Sequence, residues 1–246
     1  MSNSGYIALS RMVVDQRAMD VRANNIANTG TPGFKGEFVL FSDYLVQQKG
    51  VTPVPGGRTV HMVQDRATWR DFSQGQMNKT GNPLDVALQG EGFFAVDTPR
   101  GERYTRAGRF SLSAGGEIVD MGGNSVLGTD SRPISVPPGT GNITIAADGA
   151  VSSEAGQIGK LRVVQFDDQQ AMLAEGDSLF STKEAPRDVT NSAISQGMFE
   201  GANVKAISQM TAMMAGIGSY KAASEFLDRE AEREQSAIDR IGRAKG

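Results

Sequence analysis

From Ala206 onward the residues Ala206, Met210, Met213, Ile217, Tyr220, Ser224, Leu227, Ala231, Glu234, Ile238 and Ile241 alternate steps of four and three. That spacing is a heptad seam of about five repeats. An amphipathic core helix is the simpler reading of such a stripe, but two features weigh against it. A helix of about 40 residues is about 60 Å long at ~1.5 Å per residue, more than one compact domain of this size covers. Gly216 and Gly218 also cost about 1 kcal/mol each relative to alanine, so the helix is weak alone. It needs partners: a second helix of the same chain, other copies of the chain, or both.

The N-terminal end supplies a second helix. Leu9, Met12, Gln16, Met19, Ala23 and Ile26 form one stripe, which predicts a helix from about Ser4 to Asn28. Asn28 and Gly30 suit its C-terminus, and Pro32 with Gly33 forbids continuation. Between Gly81 and Thr190 the pattern changes to short apolar runs split by turn signals, including LDVAL (84–88), FFAVD (93–97), RFSLS (109–113), ITIA (143–146) and KLRVVQF (160–166). This predicts an antiparallel β-domain with hairpin turns at Ala114–Glu117 and Asp148-Gly149, and with Phe93, Phe94, Tyr104, Phe110 and Phe166 as its core. Residues 36–80 keep neither period and read as an extended connector. The predicted class is α+β: an N-terminal helix (1–35), the connector (36–80), a central mainly-β antiparallel domain (81–195) and a C-terminal helix (196–246), the two helices forming a coiled-coil-like terminal domain.

Little in the chain points to catalysis. Lys plus Arg number 25 against 28 Asp plus Glu, for a net charge of -3, and no stretch gathers the basic residues that nucleic-acid binding needs. There is no cysteine and His61 is the single histidine, so neither a thiolate nor a multi-histidine metal site can be built. Gly90-Glu91-Gly92-Phe93-Phe94-Ala95 matches a dinucleotide-binding pattern, but the following residues read as a strand, leaving no helix N-terminus for a pyrophosphate. Asp167-Asp168 reads as a polar loop. No cofactor is expected. No window approaches the roughly 18 apolar residues of a membrane span, so direct membrane insertion is not expected. The first residues lack the basic start and apolar block of a cleavable secretory signal.

The segment NNIANTGTPGFK (24–35) resembles the N-terminal signature of the bacterial flagellar axial proteins, the family of rod, hook and hook-junction subunits. Three more stretches share the resemblance: residues 81–113, QGMFEGANV (196–204) and the C-terminal heptad helix. Residues 63–88 look most like the proximal rod subunits, with the distal rod subunits as the alternative. Lys205-Ala206 departs from the Asn-Pro commoner in the family. The resemblance implies a structural, non-enzymatic subunit that is exported through the flagellar type III export apparatus without signal cleavage. Such a subunit assembles with copies of itself and other rod proteins in the periplasm-spanning basal body, and the rod transmits torque. The assembly interface implied is Leu9, Met12, Met19, Asn25, Ile26, Asn28 and Phe34 at one end, and Met210, Met213, Ile217, Tyr220, Leu227 and Ile238 at the other. The rival from another class is a β-scaffold that binds or hydrolyses carbohydrate at the cell wall.

Overall fold

A computed structural model describes residues 3–46, 60–189 and 193–243. Pro53, Pro55, Gly56 and Gly57 lie outside these residues, as do the side chains of His61 and Ile241. The chain divides into two compact units. One, here the helical unit, takes residues 1–26, 37–69 and 205–246; the other, the β-rich unit, takes 27–36 and 70–204.

In the helical unit α1 spans Asn3–Ala27 and α2 spans Ala206–Arg243. α1 lies close to the span expected from its stripe, whereas α2 begins with the heptad seam at Ala206 rather than at 196, because Met198–Glu200 forms a strand. They run antiparallel, because rising numbers on α1 meet falling numbers on α2: the Ser219 hydroxyl donates to Asp15 at 2.8 Å, while Met19 and Arg22 lie against Gly216. The faces that meet are not the stripes read from sequence. On α1 the buried apolar residues are Val14 and Ala18; on α2 the contact side carries Gly216, Ser219 and Ala223. Each contact face is turned about one residue, roughly 100°, from the expected seam. Small residues explain the rotation, since they let two backbones approach closely. A Cβ at Gly216 would lie 3.1 Å from Arg22 Nη1 and 3.3 Å from Met19 Cγ. No described helix is long and apolar enough to cross a membrane.

The described parts of the connector form more regular structure than the sequence indicates. β1 (Glu37–Val46) and β2 (Val60–Arg70) pair as a two-stranded ribbon. Phe38 and Trp69 stack across it with ring centroids 5.9 Å apart. A short ribbon is readable only from such cross-strand pairs, which local periodicity does not reveal.

The β-rich unit is built around β5 (Phe93–Thr98), which follows β3 (Met77–Lys79) and β4 (Val86–Gln89) and pairs antiparallel with β6 (Gly101–Thr105). β5 lies inside a nine-stranded sheet and is buried on both faces. Alternation therefore sends Phe94 and Val96 into one apolar cluster with Phe110, Ile118 and Val151, and Phe93 and Ala95 into a second with Tyr104, Phe166 and Phe180. The five aromatics predicted as core are all buried. Gly90-Glu91-Gly92 leads into a strand, as its turn reading requires. Residues 133–136, which include the short apolar run Ile134-Ser135-Val136, form only isolated bridges, Ser135 with Glu117 and Pro133 with Leu127. The returning chain closes the unit: Ala193–Gln196 pairs with β4, and Met198–Glu200 pairs with β3. That second pairing carries Glu200 into the interior.

Candidate functional site

Two arrangements stand out, one in each unit. In the β-rich unit the signature segments meet around a buried charge cluster. Lys35 Nζ donates to Glu200 Oε1 at 2.6 Å and to the Ser73 carbonyl at 2.7 Å. Arg106 grips the other carboxylate oxygen, with Nε at 2.9 Å and Nη2 at 2.8 Å. Its remaining donors reach the carbonyls of Gly92 and Gly90 at 2.7 and 2.8 Å, and the Gly75 amide donates to Glu200 Oε1 at 2.8 Å. The three side chains are 1%, 4% and 0% exposed. Two cations share one carboxylate, and carbonyl oxygens accept the surplus donors. Burial holds the Lys35 amine below its ordinary value, partly offset by Glu200.

The backbone around this cluster explains the signature. Gly33 has φ +65°, and a Cβ there would sit 2.3 Å from the Ala107 amide nitrogen; its own N–H donates to the Glu200 carbonyl at 2.8 Å. Asn203 accepts from the Gly36 amide at 2.8 Å and donates to the Asp71 carbonyl at 2.7 Å. The segment after α1 and the segment before α2 are thereby tied to each other and to the sheet. Sequence reasoning took Lys35 only as the last residue of the signature segment and did not single out Arg106, Glu200 or Asn203. The signal lay in the shared stretches, where a lysine, an arginine and a glutamate of opposite sign fall near glycine turns such as Gly33 and Gly197.

The helical unit holds all but two of the residues expected at the interface, and they divide by environment. Asn25 is buried, its amide donating to the Glu37 carbonyl at 2.7 Å and its carbonyl accepting from the Glu37 amide at 3.0 Å. Met12, Met19, Ile26, Met213, Tyr220 and Leu227 are half-buried. Leu9, Met210, Ile217 and Ile238 are exposed. Of the remaining two, both in the β-rich unit, Asn28 accepts from the Thr31 hydroxyl at 3.1 Å, and Phe34 is half-buried. Apart from Ile238, the exposed members belong to stripes: Ile207, Met210, Met214 and Ile217 on α2, and Tyr6, Leu9 and Val13 on α1. Steps of three and four place each set along one helix face.

Comparison with known proteins agrees with this geometry. Residues 6–35 match the family described as flagella basal body rod protein, and residues 87–153 match the flagellar hook protein FlgE/F/G D1 domain. The first match covers α1 and the signature turn; the second covers the centre of the sheet. The flagellar basal-body rod protein FlgF of Caulobacter vibrioides is 37% identical over 99% of both chains. FlgF of Mesorhizobium japonicum is 31% identical over 98% of this chain and 99% of the relative. The rod protein FlgG of Agrobacterium fabrum is 31% identical, covering 90% of this chain and 92% of its own length. With its signature segments closed around Glu200 and its matches running nearly end to end, this chain belongs to the flagellar basal-body rod protein family.

Proposed function

We infer that this chain is a structural subunit of the basal-body rod that polymerises through its terminal helices, and that it acts in the proximal rod. One observation carries the assembly reading. Apart from Leu112, Met121 and Leu173, every exposed large hydrophobic side chain among the described residues belongs to the helical unit. Apolar surface gathered in this way marks a protein–protein contact. The small-residue seam serves the pairing of α1 with α2, so the larger side chains at Ile207, Met210, Met214 and Ile217 remain available to neighbours. Those neighbours are copies of this chain and other rod proteins.

The proximal position rests on the higher identity to a rod protein named FlgF than to one named FlgG. The distal rod is the second reading, supported by the length of the FlgG match. The β-rich unit, whose interior is filled by two apolar clusters, serves as a scaffold rather than an enzyme. Export through the flagellar type III apparatus, without signal cleavage, delivers the subunit to the periplasm, where the rod passes torque outward. Deleting the gene is expected to abolish swimming and stop assembly within the basal body. Non-swimming cells that keep a complete hook would overturn the assignment.

A further inference from the structure

Residues 193–204 are the last stretch of the β-rich unit in the chain, and they bond to widely separated parts of it. Among the described residues Ala193–Gln196 is the only strand partner of β4, and Met198–Glu200 is the only strand partner of β3. Gly197 turns the chain from one pairing to the other at φ +74°, a conformation that favours glycine. Its N–H donates to the Asp85 carbonyl at 2.8 Å, and its carbonyl accepts from the Thr80 and Gly81 amides at 2.8 and 3.0 Å. Ile194 is buried in the apolar cluster of Val86, Leu88 and Phe94, and its N–H donates to the Ala147 carbonyl at 2.8 Å. The Gln196 side-chain amide donates to the carbonyls of Pro83 and Ile143 at 2.8 and 2.9 Å.

Glu200 and Asn203 carry the same stretch onto the charge cluster and the turn after α1. Without residues 193–204, Lys35 and Arg106 lose the carboxylate they share, and the Gly33 N–H loses its acceptor. β3 and β4 lose the strands that satisfy their backbone groups. Val86 and Leu88 of β4 share one apolar cluster with Phe94, Ile118 and Val126 of the nine-stranded sheet, so an unpaired β4 opens the interior of that sheet to water. Net stability is a small difference between large terms, and a buried charge without its partner together with an opened core removes most of it.

We propose that residues 193–204 are a closing clasp that gates folding, so that the β-rich unit has no stable form while they are detached. They are the last residues of the unit to be made, and a chain synthesised or threaded from its N-terminus therefore holds no folded β-rich unit until they arrive. The clasp also fixes both junctions in one step. The turn after α1 is held through Glu200 and Asn203, and the chain leading to α2 departs from those same residues. Neither junction is set while the other is free. The use of the clasp in export, where it keeps a threaded subunit unfolded until residue 204 has passed, rests on the rod reading; the gating itself is a property of the chain.

Native-state hydrogen exchange on the purified full-length chain, in rising low concentrations of urea, tests this. The clasp amides of Ile194, Gly197 and Gly201 are bonded to the carbonyls of Ala147, Asp85 and Gln76, while those of Ala95 and Leu127 lie in the large sheet, bonded to Arg162 and Ala95. The expected result is one opening equilibrium, with one urea dependence, for all five. Clasp amides that open more than about tenfold more readily than Ala95 and Leu127, with a weaker urea dependence, would show a sheet that survives with the clasp detached and would overturn the proposal. Full-length Gly197→Ala gives a second reading, because a side chain at that positive φ is strained. Protection should fall about five- to thirtyfold, and by the same factor, at Ile194, Gly201, Ala95 and Leu127. A fall confined to Ile194 and Gly201 would again overturn it. The hook phenotype of the deletion strain reports on the rod reading separately, so either idea can fail without the other.

Discussion

The β-rich unit buries a lysine, an arginine and a glutamate completely, while the helical unit buries only Val14, Ala18 and Asn25 among its larger described side chains. The first completes its interior within one chain: its cations have a carboxylate and its aromatics have two filled clusters. The second leaves methionines and isoleucines in water at positions that continue helical stripes. A subunit of a polymer requires both behaviours, since a self-sufficient unit keeps its shape before assembly and an incomplete one makes assembly favourable. The contrast also explains why residues 27–36 and 196–204 of the signature segments belong to the β-rich unit. They tie the chain just after α1 to the chain just before α2.

The largest effect on this contrast is expected from Glu200→Ala. Removing the carboxylate leaves Lys35 and Arg106 buried without a counter-charge, a loss of about 3–5 kcal/mol. Hydrogen exchange should show the β-rich amides losing protection while those of α1 and α2 hold theirs. Equal loss in both would mean that the two units do not stand as separate cooperative bodies.

Gly216→Val should act on the other side at a smaller cost. The added side chain pushes into Met19 and Arg22, and overpacking of this kind costs about 1–3 kcal/mol. Helical protection should fall with the β-rich unit unchanged. Retained protection would show that α1 and α2 do not need their close approach at this point.

These two sites also show what a single sequence makes legible. Both helices, the β-class of the centre and all five core aromatics were readable, because each follows from a local period or a turn residue. The inner seam was not. Apolarity marks the stripes through Met210 and Ile217, yet the pair meets on Ala18, Gly216 and Ser219, where small size matters more than hydrophobicity. The charge cluster was hidden for a different reason. Lys35 and Glu200 are 165 positions apart, and polar residues in glycine-rich segments read as surface until pairing of Met198–Glu200 with β3 turns one inward. The ribbon of β1 and β2 escaped because its register depends on cross-strand partners such as Phe38 and Trp69.

An alkaline titration gives a milder probe of the β-rich unit. Burial, with Glu102 second, pushes the Tyr104 phenol up to about 12, above its ordinary 10.0. Below pH 10 the phenol is protonated in both folded and unfolded chains and its stabilising contribution is complete. Between 10 and about 12 the unfolded chain ionises first, so stability falls as pH rises. Urea denaturation across that range should show the decline, and Tyr104→Phe should flatten it. An unchanged slope in the variant would assign the decline to other groups.

The smallest effect on the fold is expected at Met214, and that is its value. The side chain is 73% exposed and lies between Met210 and Ile217 on the outward stripe of α2. A surface substitution away from packed features usually changes stability by less than about 0.5 kcal/mol, so Met214→Asp should unfold at the same urea concentration as the parent chain. In an assembled rod the same carboxylate would enter an apolar contact without a partner, where burying a charge is strongly unfavourable. The expected outcome is a stable monomer, normal in circular dichroism, that fails to restore swimming to a deletion strain. Full motility would show that the stripe through Ile207, Met210, Met214 and Ile217 faces solvent in the rod as well.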